Sequence, residues 1–336
     1  MSGDGNSNAR ILVTGGAGFI GSALVWALNR RGYEDILVTD HLGSDEKWRN
    51  LVPLRYADYV DAEDLRWQIE DGGEGPGSFD YVYHLGACSA TTEKDAAYLM
   101  RNNYGYTRMM AHWALETGAR FVYASSAATY GDGCEGMNDG EADIGRLRPL
   151  NMYGYSKHLF DLHARREGFL ESIIGLKYFN VFGPNENHKR DMRSVVNKAF
   201  AQIRETGRVE LFKSYRDDYE DGMQMRDFLY VKDAVEMTIH LAETRSAGGL
   251  YNIGSGVANT WVDLAEAIFS ALGEASRIDF VEMPELLREK YQYYTKASIE
   301  ELRKTGFDRE IFSLKSAVRD YVQGYLVEDL RLGDGE

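Results

Sequence analysis

The feature that most restricts this chain is Thr14-Gly15-Gly16-Ala17-Gly18-Phe19-Ile20-Gly21, set between an apolar run and a helical pattern. Residues 11–14, Ile-Leu-Val-Thr, read as a short buried strand. Residues 21–31 carry Leu24, Trp26 and Leu28 at helical spacing and stop at Gly32, a good C-cap. Glycines at 15, 18 and 21 leave the turn bare. A pyrophosphate can then approach backbone N–H groups at a helix N-terminus, where a Cβ would block it and where the helix dipole favours negative charge. A glycine-rich turn alone is a modest signal, because tight turns are common. The strand–turn–helix context, with Asp40 closing the next strand, points to a dinucleotide. Asp40 would accept hydrogen bonds from a ribose 2′-OH, which favours NAD. Lys47, Arg49 and Arg55 follow closely and could offset a 2′-phosphate, so NADP stays open; each alone is more simply a solvated surface charge.

The rest of the chain repeats the theme. Segments 36–39, 54–57, 79–84, 120–124 and 173–178 read as strands, and 93–117 and 155–167 as helices. Short buried strands alternating with helices predict an α/β fold, a doubly wound parallel sheet of the Rossmann type with a smaller α/β substrate-binding lobe. At 336 residues the chain has room for about two domains. The expected division is a dinucleotide-binding domain at 9–180, with return segments near 226–256, and a substrate-binding lobe at 181–225 and 257–330. Residues 1–9 read as a frayed tail and 131–147 as an irregular polar loop. Beyond 184 the expected elements are helices at 194–205, 231–243, 262–272 and 313–322 and strands at 226–230 and 250–253.

Composition removes several classes of function. Fifty-three acidic against 38 basic residues give a formal charge of −15, which argues against a nucleic-acid or anionic-membrane surface. Two cysteines, Cys88 and Cys134, make neither a disulfide framework nor a zinc site. The seven histidines show no His-Glu-x-x-His and no clustered ligand spacing, so no metal is expected. No run approaches the ~20 apolar residues needed to span a bilayer. With no signal-peptide pattern at the start, the expected location is the cytoplasm.

Two further motifs bear on chemistry. Tyr153-Gly154-Tyr155-Ser156-Lys157 is the only Tyr-x-x-x-Lys in the chain. On a helix, positions i and i+4 share a face. A lysine ammonium beside the nicotinamide ribose would lower the tyrosine pKa and make it a general base. At the end of the fifth strand, Tyr123-Ala124-Ser125-Ser126 offers Ser126 to a reacting alcohol and its ketone. Either motif alone is more simply structural. Glycine-rich turn, strand-end serine and Tyr-x-x-x-Lys in that order are far more specific.

These residues resemble the extended short-chain dehydrogenase/reductases acting on nucleotide sugars, and among them the epimerases of an ADP-linked heptose. The likeness runs through 13–21, His84 to Glu93, Asn102-Asn103-Tyr104, 123–131, 149–157, Tyr178 to Pro184, His188-Lys189, Arg226-Asp227-Phe228 and Tyr251 to Gly256. It implies an epimerase with tightly bound NADP, transient oxidation to a ketone and return of the same hydride. It also implies an ADP-heptose substrate and a role in building lipopolysaccharide heptose; a homo-oligomer is expected.

The resemblance implies roles as well. Ser126 and Tyr153 would flank the oxidised carbon, Lys157 would sit on the cofactor ribose, and Lys189 would be a second acid/base on the opposite face. Gly15, Gly18, Phe19, Ile20, Gly21, Asp40, His41, Lys47, Leu85, Gly86, Ala87, Cys88, Ser89, Asn102 and Val181 would line the cofactor site, with Lys157 and Lys189. Asn180, Asp191, Lys198, Phe212, Ser214, Arg226 and Tyr291 would contact substrate, with Ser126.

The chain departs from that pattern in places. Ala62 stands where a cofactor-binding lysine is expected, Arg190-Asp191 where a Gly-Ser pair follows the second base, and Lys198 where a histidine contacts substrate. Segment 214–225 is longer and more acidic. A dehydratase would need an Asp-Glu pair where this chain has Ala127 and Ala128. A UDP-hexose 4-epimerase would need only Ser126, Tyr153 and Lys157. An inactive dinucleotide-binding scaffold is disfavoured because that set is intact.

Overall fold

Apolar four- to seven-residue strands, buried on both faces, pair in parallel here because helices cover them on either side. The computed structural model describes residues 8–70, 76–288 and 291–336. The main sheet is built from β1 (Ile11–Thr14), β2 (Ile36–Asp40), β3 (Asp58–Asp61), β4 (Tyr81–His84), β5 (Arg120–Ser126) and β6 (Ile174–Tyr178). Later come β7 (Asn180–Phe182), β8 (Val209–Phe212), β9 (Met225–Tyr230), β10 (Gly249–Ile253), β11 (Ala258–Thr260) and β12 (Ile278–Val281). The spatial order is β10-β6-β5-β4-β1-β2-β3, all parallel. The order reverses between β1 and β4, the place where a doubly wound sheet opens a ligand crevice at its strand C-termini.

Alternate residues of each strand feed opposite cores. Ile11, Val13, Ile36 and Val38 face α1 (Phe19–Asn29) and a helix at Val231–Glu243. Leu12, Leu37, Val82 and Phe121 face the helices Tyr106–Glu116 and Met152–Arg166. Two small sheets complete the molecule, β11-β9-β7 and β12-β8. Of the segments expected to return to the main sheet, β10 joins its edge and β9 lies between β7 and β11.

Some expectations shift. Residues 54–57 are not a strand; the chain turns there and β3 starts at Asp58. The helix expected at 93–117 is interrupted. It runs as Ala96–Leu99, a π-helical turn at Met100–Gly105, and Tyr106–Glu116. The expected tail at 1–9 falls outside the described residues up to residue 7, and Ala9 is already buried. Among the described residues, no helix is long and apolar enough to cross a membrane.

One buried histidine ties the centre of the sheet together. The Gly86 N–H donates to Thr14 Oγ1 (3.0 Å), and Thr14 Oγ1 lies 2.8 Å from His84 Nδ1. His84 Nε2 lies 3.1 Å from Thr107 Oγ1, whose hydroxyl donates to the Asn103 carbonyl. Each donor in that chain is used once, so His84 is the neutral Nε2–H tautomer. Burial holds its pKa down at about 3. Below pH 6.5 the unfolded imidazole takes a proton that the folded one refuses. The stability it confers is therefore present above pH 6.5 and is lost as pH falls towards 3. Between pH 7 and pH 5 the loss should be about 2 kcal/mol. Denaturant titrations of wild type and His84→Gln at both pH values check this, and equal pH slopes would refute it.

Candidate active site

The crevice begins at the glycine-rich turn. Gly15 has φ +68°, and a Cβ there would lie 2.7 Å from the Gly86 backbone; a Cβ on Gly21 would lie 2.1 Å from the Gly15 carbonyl oxygen. The turn thus packs β1, β4 and α1 at backbone distance. Helix α1 starts with no side-chain cap and no acidic residue in its first turn. The Gly18 N–H turns to Asp40 and the Gly15 carbonyl, which leaves the Phe19 and Ile20 N–H groups and the positive dipole end to an external anion. This bare turn, which a Cβ at Gly15 or Gly21 would force apart, fits a dinucleotide pyrophosphate over Phe19 and Ile20. Gly21→Ala should therefore lose its bound dinucleotide and cost roughly 1–3 kcal/mol of stability through overpacking. Cofactor content after gel filtration and a denaturation curve are the measurements; full retention of both would contradict the close packing.

Asp40 is placed at this turn, but its oxygens are already engaged. Oδ2 accepts from Ala17 and Gly18 N–H (3.0 and 3.1 Å), and Oδ1 from His41 N–H (2.7 Å) and Lys47 Nζ (3.1 Å). It braces the turn and is neutralised by Lys47. Of the other two candidate cations, Arg49 pairs with Glu46 and Arg55 with Glu34, both on the surface. The His41 ring is exposed between Asp61 and Glu63.

The second wall follows β4. Leu85, Gly86, Ala87 and Cys88 are half-buried and Ser89 is exposed. Asn103 fixes this wall: its Oδ1 accepts from Cys88 N–H (2.9 Å) and its Nδ2 donates to the Cys88 carbonyl (3.0 Å) and to Ser156 Oγ (3.0 Å). Ser156 in turn donates to the Tyr153 carbonyl (2.7 Å). Asn102, the residue expected to line the cofactor site, is only half-buried; its neighbour does the bracing. An asparagine repeated inside an otherwise helical segment is the available signal.

The third wall is the end of β5 and the helix Met152–Arg166. That helix is capped by Asn151, whose side chain accepts from Gly154 N–H at 2.7 Å. Ser126 caps a short turn at Ala127–Tyr130 through Ala128 N–H and hydrogen-bonds the Tyr153 phenol. Lys157 is buried and donates to the Ala124 carbonyl (2.8 Å); burial brings its pKa down to about 8. The expected lowering of the Tyr153 pKa does not occur in the chain by itself. Burial raises it, the Ser126 hydrogen bond offsets only part of this, and Lys157 is turned to a carbonyl.

Behind the helix, Asp161 accepts from Tyr123 and Ser125 (both 2.8 Å) and lies 3.9 Å from Lys177. This ring fixes the helix to β5 and is not foreseen from sequence.

The remaining candidates fall into groups. Lys189 lies with its ammonium 5.4 Å from the centre of the Phe19 ring, at the glycine-rich turn, and burial lowers its pKa. Phe212, Arg226 and Tyr291 come together: the Arg226 guanidinium lies 5.2 Å from the Tyr291 ring, and the Phe212 and Tyr291 rings are 6.4 Å apart. Trp261, not expected, joins them by donating to the Tyr291 hydroxyl (2.9 Å). Asn180 is exposed and opens β7, which also carries half-buried Val181; β7 pairs with β9, the strand of Arg226. Ser214 lies on the loop after β8, held by Asp221. Lys198 and Asp191 are exposed neighbours, joined through the Asp191 carbonyl. Among the described residues, no cluster of three potential metal ligands occurs.

This arrangement can bind a dinucleotide along the strand ends, with Tyr153 at the end of β5 and Lys189 at the glycine-rich turn as groups able to move a proton. Residues 11–254 match the model of the NAD dependent epimerase/dehydratase family. The chain is similar to the ADP-L-glycero-D-manno-heptose-6-epimerase of Nitratidesulfovibrio vulgaris strain DP4, at 53% identity over 94% of this chain and 97% of that protein. Its fold superposes on the Helicobacter pylori ADP-L-glycero-D-manno-heptose-6-epimerase with a TM-score of 0.79, at 25% identity over 98% and 100% of the two chains. It superposes also on the Thermus thermophilus UDP-glucose 4-epimerase in complex with NAD, with a TM-score of 0.72, at 25% identity over 94% and 98%.

Proposed function

This chain belongs to the NAD dependent epimerase/dehydratase family, and from that premise we propose that it inverts C6 of ADP-D-glycero-D-manno-heptose. The substrate follows from the name of its near full-length relatives. The chemistry rests on one observation: two proton carriers stand at the crevice, Tyr153 hydrogen-bonded to Ser126 at the end of β5 and Lys189 over Phe19 at the glycine-rich turn, with the phenol pKa raised and the ammonium pKa lowered. Burial drives both shifts. Groups whose environments push them apart divide into acid and base. Burial thus favours the neutral form of each group.

A nicotinamide dinucleotide, when bound, supplies the hydride acceptor and returns the same hydride. Lys189 takes the C6 hydroxyl proton as the carbon is oxidised. Ser126 donates a hydrogen bond to the ketone oxygen, and Tyr153 reprotonates oxygen when the opposite face is reduced. After product leaves, the Lys189 ammonium gives its proton to solvent and the Tyr153 phenolate takes one from it, which resets the pair; the return direction exchanges the two roles. Lys157, which donates to the Ala124 carbonyl in the chain by itself, would hold the ribose end of the cofactor. Ala127 and Ala128 lack the carboxyls that dehydration requires.

NADP is our reading of the particular dinucleotide, supported by the filled oxygens of Asp40 and the Lys47 ammonium beside it. The ADP carrier, a role in lipopolysaccharide heptose synthesis, a cytoplasmic location and a homo-oligomeric state belong to the same proposal and rest on resemblance.

The test is to denature the purified protein, identify the released dinucleotide, and incubate native enzyme with ADP-D-glycero-D-manno-heptose without added cofactor. The expected result is released NADP(H) and conversion to the L-glycero epimer. Released cofactor without conversion would transfer the reading to UDP- and GDP-hexoses.

A further inference from the structure

Among the described residues, only three non-glycine residues have positive φ: Asn185 (77°), Arg190 (51°) and Asp329 (51°). Such conformations cost energy for side-chain-bearing residues and gather at functional sites. Two of the three flank Lys189. The third lies about 140 residues away in sequence, yet it grips the same loop. Asp329 Oδ1 accepts from Asn187 Nδ2 (3.1 Å), and the Leu332 N–H donates to Asn185 Oδ1 (3.0 Å). Leu332 is fully buried, and Glu336 is held by the Trp26 indole of α1, so this segment is packed down.

The other end of the grip reaches the glycine-rich turn. Asn185 Nδ2 donates to Ser22 Oγ (2.9 Å) in α1. Asn50 Nδ2 donates to both the Ala17 and the Asn185 carbonyls (3.0 Å each). Within the loop, the buried Glu186 carboxylate accepts from the Ser194 hydroxyl (2.6 Å) and the Tyr321 hydroxyl (3.0 Å). Lys189 thus lies within a short segment bolted on both sides.

We propose that segment 329–332, together with Asn185 and Asn50, is a latch that holds the Lys189 loop against the glycine-rich turn and so positions the second acid/base. The proposal rests on the reading of Lys189 given above. Asn185, Asn50, Asp329 and Leu332 are positioning residues, remote from the reacting atoms. Misplacing a catalytic group by about 1 Å can cost about 100-fold, which sets the scale of what the latch protects.

The test is a double-mutant cycle read together with hydrogen exchange. Asn185→Gly keeps the left-handed backbone and removes both side-chain clamps. Asp329→Gly releases Asn187 and the Arg331 guanidinium (3.5 Å) and lies on the surface, so it folds even if the first variant does not. Both variants should lose amide protection at 186–193 while the rest of the protein is unchanged. Their kcat should fall about 10- to 100-fold with little change in KM. In a Lys189→Met background the same substitutions should change kcat less than about twofold, because a latch without its lysine has nothing left to place. Multiplying losses in that background, or unchanged exchange at 186–193, would overturn the latch. Full activity of Lys189→Met alone would overturn the reading of Lys189. The exchange data would then decide, without it, whether the segment grips the loop.

Discussion

Tyr153→Phe should lower kcat by roughly 10²–10⁴-fold, the usual worth of a positioned acid or base. The argument rests on how little else the substitution removes. The ring keeps its packing against the end of β5, and the helix keeps its Asn151 cap and its Asn103–Ser156 tie to the Cys88 wall. Only the phenolic oxygen goes, and with it the hydrogen bond to Ser126. Dinucleotide content and KM should therefore stay close to wild type. Steady-state kinetics with the D-glycero substrate, alongside cofactor release on denaturation, measure both. An unchanged kcat would remove Tyr153 from the chemistry.

Lys189→Met should be as damaging, and Lys189→Arg should fail to rescue it. Arginine keeps the positive charge over Phe19 but does not give up a proton near neutral pH. If Lys189 served only to attract phosphate or stack on Phe19, arginine would restore most of the activity. If it moves a proton, both variants should lose roughly 10²–10⁴-fold. The pair of proton carriers adds a further expectation. Single-turnover oxidation of the two C6 epimers should be impaired unequally in Tyr153→Phe and Lys189→Met, with opposite preference. Equal impairment of both epimers by both variants would point to a single base.

What the sequence disclosed follows physical lines. Strands such as Ile11–Thr14 are legible because a parallel strand buried on both faces is a continuous apolar run. β3 is misplaced by the pattern because it is the sheet's edge: Asp58–Asp61 reads Asp-Tyr-Val-Asp, and the more apolar Leu54 beside it forms a turn. The π-helical turn at Met100–Gly105 leaves no mark in the periodicity, although it sets Asn103 against Cys88. Strands β7, β8, β11 and β12 are short and only partly buried, so they carry no continuous apolar run to read.

In the site, Gly15, Ser126, Tyr153 and Lys157 are legible because each belongs to a local spacing that chemistry dictates. Asn50, Asp161, Lys177 and Glu186 are not, because their meaning lies in partners far along the chain. The direction of the Tyr153 shift escapes the sequence for the same reason: burial is a property of the whole fold.

The long reach from Asn185 to Leu332 also sets an order of events in the making of the protein. Translation adds about 5–20 residues per second. The strands that form the dinucleotide turn are complete once His84 has been added, and Lys189 follows about a hundred residues on. The last partner of its loop is synthesised about 140 residues later still, after roughly 7–30 s at those rates. During that interval the Lys189 loop has only the earlier half of its grip, the contacts to Ser22 and Asn50. Full positioning of the second base arrives late, when residues 329–332 emerge and fold back.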